Sequence, residues 1–187
     1  MHPSKIIIGV SGPFASGKDT VAEHIESKFG FESISTSDVL RQKIRELKLE
    51  PNRENMNKYG VKFRKLYGPG FLVSEALKKA EKKRILITGL RSPAEVDILH
   101  QAGGKLIEVF SDIDTRWQRL YERGRAGDFA NFEEFKELEK RESFNSNPNF
   151  PSTKEVAEKS DYLINNDSSL DELRNRTDEI IIGLLDK

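Results

Sequence analysis

The sequence predicts an α/β fold, a five-stranded parallel sheet with helices on both faces. Three observations predict it. Short β-branched runs recur without polar alternation, as in strands buried on both faces. A helical pattern follows most of them, so strand and helix alternate along the chain. The 187 residues suit one domain with one proper hydrophobic core.

The first strand is read at 5–10, Lys-Ile-Ile-Ile-Gly-Val, and is bounded by Ser11-Gly12. A helix over Lys18–Phe29 follows, with Val21, Ala22, Ile25 and Phe29 at helical spacing and Gly30 as its stop. The second strand is 31–35. The next two are Arg84–Thr88 and Lys105–Phe110, and the fifth is 161–165. Ser92-Pro93-Ala94-Glu95 reads as a capping box with proline at the first helical position, and Gly103-Gly104 ends that helix. Asn131 with Glu134, and Ser169 with Glu172, suggest similar boxes. The last helix carries Leu170, Leu173, Thr177, Ile180, Ile181 and Leu184 on one broad stripe.

Two segments exceed simple crossovers. Residues 39–83 are helical in pattern: Asn52 opens a helix with Met56, Tyr59, Phe63, Leu66 and Tyr67 on one side, and a further helix runs over 71–82. Aromatics so placed are usually core; a base stacked on Tyr59 or Phe63 is the sharper alternative. Residues 124–150 are polar and charged, with Phe132, Phe135 and Leu138 as a stripe that packs them onto the body, and 145–151 is rich in turn residues. The expected layout is a single domain: core 1–38, 84–123 and 161–187, a helical insert over 39–83 that covers an acceptor, and a lid over 124–150.

Composition excludes several classes. Lys+Arg and Asp+Glu number 31 each, so broad nucleic-acid binding is not expected, although a local basic cleft is allowed. There is no cysteine, hence no disulfide, thiolate metal site or cysteine nucleophile, which fits a reducing cytoplasm. No apolar run reaches the roughly 18 residues needed to span a bilayer, and the first residues show no signal-peptide pattern. His2, His24 and His100 are isolated and suggest no metal or acid–base site.

Gly12-Pro13-Phe14-Ala15-Ser16-Gly17-Lys18-Asp19-Thr20 sits where the first strand meets the first helix, and matches G-x-x-x-x-G-K in the context that confirms it. Glycines let the backbone curl so that amides of Ala15, Ser16, Gly17 and their neighbours converge on an anion. The helix N-terminus adds its dipole, and Lys18 brings a full charge to the β- and γ-phosphates of ATP. A glycine-rich turn that merely packs would leave unexplained why Gly12, Gly17 and Lys18 fall in register at that junction. Asp19 stands where Ser or Thr is usual, with Thr20 next. A carboxylate there either helps hold hydrated Mg²⁺, with Thr20, or points away.

Arg116, Arg119 and Arg123 are spaced i, i+3, i+7, so one helix face carries three guanidinium groups, and Arg125 extends the line. Such forks suit the charge neutralisation that phosphoryl transfer requires. The plainer account is a solvated face paired with local acids.

Here the chain resembles a known family. Gly-Lys-Asp-Thr looks like the Gly-Lys-Gly-Thr of adenylate kinase and other nucleoside monophosphate kinases, which are P-loop NTPases. Ser37-Asp38-Val39-Leu40-Arg41 is similar to their Gly-Asp-x-Leu-Arg, and Thr88-Gly89-Leu90-Arg91 to their Asp-Gly-x-Pro-Arg, with Thr88 in place of the aspartate and no proline. The resemblance implies that Arg41 and Arg91 bind the acceptor phosphate, and that Asp19 has more to do for Mg²⁺. The stretch 116–125 resembles the segment leading into the lid of dephospho-CoA kinases and their archaeal relatives, and the run containing Arg141 resembles one in those relatives. Residues 161–169 resemble their adenine-packing segment, which points to Asn165.

The implied activity is transfer of the γ-phosphoryl of Mg·ATP to a small phosphorylated acceptor, a ribo- or deoxyribonucleoside monophosphate, by a monomer or homodimer in the cytoplasm, with neither nucleic-acid polymer nor membrane as partner. Lys18 holds the donor, Arg41 and Arg91 the acceptor, and Arg119, Arg123 and Arg141 close over the transferring group. Asp38 is structural, or binds Mg²⁺ or a sugar hydroxyl, if the acceptor is a phosphate; it takes a proton if the acceptor is a ribose hydroxyl, as in dephospho-CoA kinases. From a different class, an ATP-dependent switch acting on a protein partner remains open.

Overall fold

The structure, a computed structural model, describes residues 5–124, 131–143 and 145–186. Arg125, and the parts of the expected lid at 125–130 and 144, lie outside the described residues. Five strands, β1 (Ile6–Ser11), β2 (Glu32–Ser35), β3 (Arg84–Thr88), β4 (Lys105–Phe110) and β5 (Tyr162–Asn165), pair in the order β2-β3-β1-β4-β5, all parallel. Each strand lies within a residue or so of its expected place, because β-branched runs with turn residues at both ends leave little choice.

Nine described helices cover the sheet: α1 (Lys18–Phe29), α2 (Thr36–Glu46), α3 (Arg53–Tyr67), α4 (Phe71–Lys79), α5 (Pro93–Gln101), α6 (Ile113–Arg123), α7 (Phe132–Ser143), α8 (Thr153–Glu158) and α9 (Leu170–Leu185). Alternate strand residues feed two cores. Ile7, Ile85, Ile87 and Leu106 meet Val39, Val73 and Val96 on one face. Ile8, Leu86, Ile107 and Val109 meet Val21, Ile25, Leu173 and Ile181 on the other. Full burial of each such side chain contributes about 1.5–3 kcal/mol before entropy.

Several expectations need correction. Leu66 and Tyr67 are 61% and 62% exposed, not on a buried side. The reason is that α3 packs on α2 and α4 rather than on the sheet, and only Phe63 and Arg64 of its last turns go inward. Phe63 is buried among Tyr59, Tyr67 and Phe71, with centroids 5.8, 6.0 and 6.2 Å away, as expected of core aromatics. Helix α4 stops at Lys79, since the N–H groups of Glu81 and Lys82 donate to the Glu32 carboxylate at 2.9 and 2.7 Å and steer the chain into β3. Of the three capping boxes Ser92/Glu95 is reciprocal. Ser169 caps α9, but the Glu172 carboxylate turns to Arg176 instead.

The sheet reverses its winding at β1, whose neighbours are β3 on one side and β4 on the other. In open parallel sheets the crevice at such a point, outside the strand C-termini, is where ligands bind. The loop 12–17 emerges there.

Candidate active site

Gly12 and Gly17 shape the loop, and close packing enforces both. They have φ of +152° and +98°. A Cβ on Gly12 would sit 2.6 Å from Ser16 Oγ and would also run into the Val109 carbonyl; one on Gly17 would run into Asn166 Nδ2. Ala15 adopts a left-handed φ of +61° without being glycine, a local strain of about 1 kcal/mol or more. Gly17 offers no side-chain cap to α1, which leaves first-turn amides to solvent or a ligand. Ser16 Oγ is buried with no hydrogen-bond partner. A cradle that any Cβ would fill, with helix amides at its mouth, fits a nucleotide's phosphates.

Two buried side chains hold this loop from afar. Asn166 Nδ2 donates to the Ser16 carbonyl at 2.7 Å, and its own N–H donates to the Phe110 carbonyl at 2.7 Å. Arg116 donates to the carbonyls of Ser111 and Phe14, each at 3.0 Å, and pairs with Glu139 at 2.8 Å. Gly17→Ala therefore adds a strained backbone to a collision with Asn166, and is expected to cost about 1–3 kcal/mol. Thermal melts check this; an unchanged melting temperature would mean that the loop is not gripped from the β5–α9 side.

Lys18 folds back over the loop, its Nζ 3.4 Å from the Pro13 carbonyl and 5.8 Å from the Phe14 ring centroid. Burial holds its pKa below the ordinary lysine range and Arg91 adds to the lowering; Asp19, Glu108 and Glu139 pull the other way. Across the cleft from the loop stands the β3–α5 turn. Lys18, Gly89, Leu90, Arg91, Glu108, Glu139 and Glu142 line this one cleft. Arg91 reaches Glu142 at 3.3 Å, its N–H donates to Glu95 at 2.7 Å, and its carbonyl accepts from the N–H of Ser152 at 2.8 Å.

The other sequence candidates fall elsewhere. Arg119 donates to the Asn166 carbonyl at 2.8 Å and to Ser111 Oγ at 3.4 Å, which places it behind the loop. Arg123 is exposed, with its guanidinium 5.9 Å from the Phe14 centroid, at the loop's outer side. Arg116, the third member of that face, is buried and structural. Asp38 and Arg41 pair with each other at 2.7 Å on the exposed start of α2 and do not line the cleft in this conformation. Asp19 is exposed and Thr20 half-buried. Asn165 is exposed, its carbonyl accepting from Arg176 at 2.8 Å, while the next residue, Asn166, turns inward to the loop. Arg141 is exposed and donates to the Glu137 carbonyl of its own helix at 3.2 Å; from α7 it is Glu139 and Glu142 that face the cleft.

Glu108 is the residue that sequence reasoning missed. Its signal was there: a lone acid inside Lys-Leu-Ile-Glu-Val-Phe. It pairs in register with Ser11, the last residue of β1, and accepts a hydrogen bond from Ser11 Oγ. Burial raises its pKa to about 7, against the opposing pull of Ser11 and Lys18. The folded protein thus keeps a proton that the unfolded chain releases between pH 4.5 and about 7. Stability should fall as pH rises through that window, by an amount on the order of 3 kcal/mol at most. Urea unfolding from pH 5 to 8 would show Glu108→Gln losing less than wild type; parallel curves would contradict it.

A second groove, about 620 Å³, lies between α2, α3 and α4, with Lys43, Phe63, Tyr67 and Phe71 among its walls. It shares no residue with the loop cleft. Among the described residues no group of three His, Asp or Glu is placed to hold a metal ion, and no helix is long and apolar enough to cross a membrane.

Comparison with known proteins bears on this geometry. A family model described as an AAA domain matches residues 11–136. The UPF0200 protein of Methanothermobacter thermautotrophicus is 31% identical over 188 residues, covering 97% of this chain and 92% of its own. That of Methanocaldococcus jannaschii is 30% identical, covering 96% and 91%. Among solved structures, shikimate kinase from Acinetobacter baumannii in complex with shikimate superposes with a TM-score of 0.61 at 18% identity, covering 98% of this chain and 94% of that one. Shikimate kinase from Bacteroides thetaiotaomicron gives 0.61 at 16% identity, covering 98% and 100%. At such identities the likeness shows the fold, which is that of P-loop kinases.

Proposed function

Because the chain belongs to the AAA-domain family and to the UPF0200 proteins, and because its fold is that of P-loop kinases, we propose that it is an ATP-dependent phosphotransferase acting on a small phosphorylated acceptor, a ribo- or deoxyribonucleoside monophosphate. The observation that carries this reading is one cleft with Lys18 on the loop side and Arg91 on the β3–α5 side. A donor phosphate on the loop and an acceptor phosphate on Arg91 would then face each other.

Lys18 leaves the Pro13 carbonyl and binds the β- and γ-phosphates, whose charge offsets the burial that disfavours its own. The curled amides of 12–17 and the first turn of α1 hold the remaining oxygens. Arg91 exchanges Glu142 for the acceptor phosphate, a bidentate partner better matched to its fork. Arg41 is available once it leaves Asp38, since an exposed pair of this kind contributes only about 0–1 kcal/mol. Arg119, from behind the loop, and Arg123, from its rim, add positive potential. Residues 39–83 serve as the acceptor cover and 124–150 as the lid, and closure excludes water from the transfer.

Mg²⁺ would arrive with the nucleotide and neutralise charge on the transferring phosphoryl group. With no three acids among the described residues set to hold it, it fits here as an ion held by phosphates and one or two protein oxygens, for which the Asp19 carboxylate and the Thr20 hydroxyl are the sequence's candidates. A cytoplasmic small-molecule role accompanies this reading.

The test is an ATP-consumption screen over all ribo- and deoxyribonucleoside monophosphates plus dephospho-CoA, with Lys18→Ala as the blank. Turnover with a monophosphate supports the proposal. Turnover with dephospho-CoA only would move the acceptor group to a hydroxyl and give Asp38 its role as base. Tight ATP binding with no turnover on any acceptor would favour the switch.

A further inference from the structure

We propose that Glu108 is the carboxylate that engages the Mg²⁺ of a bound nucleotide, supplying from β4 the acid that β3 lacks at Thr88. This rests on the reading that the loop cleft takes a nucleotide.

The carboxylates near the loop sort themselves by what they already touch. Glu139 is committed to Arg116 at 2.8 Å and Glu142 to Arg91 at 3.3 Å. Asp19 is exposed on α1, and Asp38, also exposed, pairs with Arg41. Glu108 differs from all four. It is only 4% exposed, yet it lines the cleft that holds Lys18. Its hydrogen bond goes to a hydroxyl, Ser11 Oγ, rather than to a guanidinium, so its charge is not consumed by a bidentate partner. That bond also fixes the side chain against the last residue of β1, next to Gly12.

The electrostatic consequence is direct. Once ionised, a carboxylate buried beside a polyphosphate site repels the ligand, and low surrounding polarity strengthens the repulsion. Lys18 offsets it in the free protein, but Lys18 is also the group that the phosphates recruit. A dication arriving with the nucleotide removes the conflict by lying between two anions, and a single buried carboxylate with phosphate oxygens and waters is a coordination that Mg²⁺ accepts. Thr88, paired with Val10 on the opposite side of β1, has only a hydroxyl to offer.

Calorimetric titration of ATP, once in excess EDTA and once in excess MgCl₂, tests this without any acceptor. In wild type Mg²⁺ should tighten ATP binding about tenfold or more, and in Glu108→Gln that factor should shrink below about threefold while ATP in EDTA binds as well as or better than before. Asp19→Asn, the competing candidate, is titrated beside it. An undiminished Mg²⁺ factor in Glu108→Gln, or its loss in Asp19→Asn instead, overturns the assignment and leaves the kinase reading standing. Absence of ATP binding by wild type in both buffers overturns the kinase reading and the assignment with it. Circular dichroism verifies folding. If Glu108→Gln does not fold, Glu108→Asp, which retracts the charge by one methylene, takes its place, and a full Mg²⁺ factor there overturns the proposal.

Discussion

Lys18→Ala is expected to lower phosphoryl transfer by about 10³-fold or more, since a preorganised charge at the transferring group is the kind of contact whose removal costs several kcal/mol of transition-state stabilisation. The fold should be untouched. In the free protein Lys18 makes one long hydrogen bond to the Pro13 carbonyl and a loose contact with Phe14, and burial disfavours its charge. Removing it therefore takes little from the native state. The two readouts are the acceptor assay and a thermal melt. A melting temperature within a few degrees of wild type with activity gone is the expected pair. Retained activity would show that the cleft at Lys18 is not where phosphate is transferred, and the functional reading would fail with it.

Glu95→Ala should have the largest effect on stability. Glu95 is fully buried on α5 and pairs with Arg64 of α3, itself only 8% exposed, at 3.0 Å. The same carboxylate accepts from the N–H groups of Arg91 at 2.7 Å and Ser92 at 3.3 Å. Arg64 Nε already lacks a partner. Truncating Glu95 would leave a buried guanidinium with no counter-charge and a helix start with no reciprocal cap, which together cost about 3–5 kcal/mol. For a chain of this size that lowers the melting temperature on the order of 10 °C. Arg64→Met combined with Glu95→Leu should recover much of the loss, because the unpaired charge rather than the missing bond dominates. If Glu95→Ala melts like wild type, the pair does not bridge α3 and α5 as described. The consequence reaches the site: Glu95 also fixes the backbone of Arg91, so Glu95→Gln, which keeps the shape, should loosen acceptor binding more than it lowers stability.

Much of the site was legible before any coordinates. Glycine spacing, the lysine and the strand-to-helix junction define the loop from a stretch of nine residues, and Arg91 enters through the resemblance of the turn after β3 to that of nucleoside monophosphate kinases. What was not legible is the set of long-range partners. Asn166 reaches Ser16 across 150 positions, and Glu108 reaches Ser11 across 97. No pattern within either segment announces its partner. The same limit explains Arg116, which by spacing belongs with Arg119 and Arg123 but is consumed by two carbonyls and Glu139. It explains Arg141 too: helical phase sends Glu139 and Glu142 into the cleft and leaves Arg141 outside.

The sequence by itself determined the strands, their parallel arrangement, the first helix and the phosphate loop, because each rests on local chemistry: periodicity, β-branching, and glycines with no tolerance for a Cβ. Tertiary structure alone decided which charges meet. Strand register sets Glu108 beside Ser11, the sheet order brings β3 and β4 to opposite flanks of β1, and packing of α7 over the cleft chooses acids rather than Arg141. Those outcomes depend on the sum of many contacts between segments distant in the chain, and no single segment encodes them.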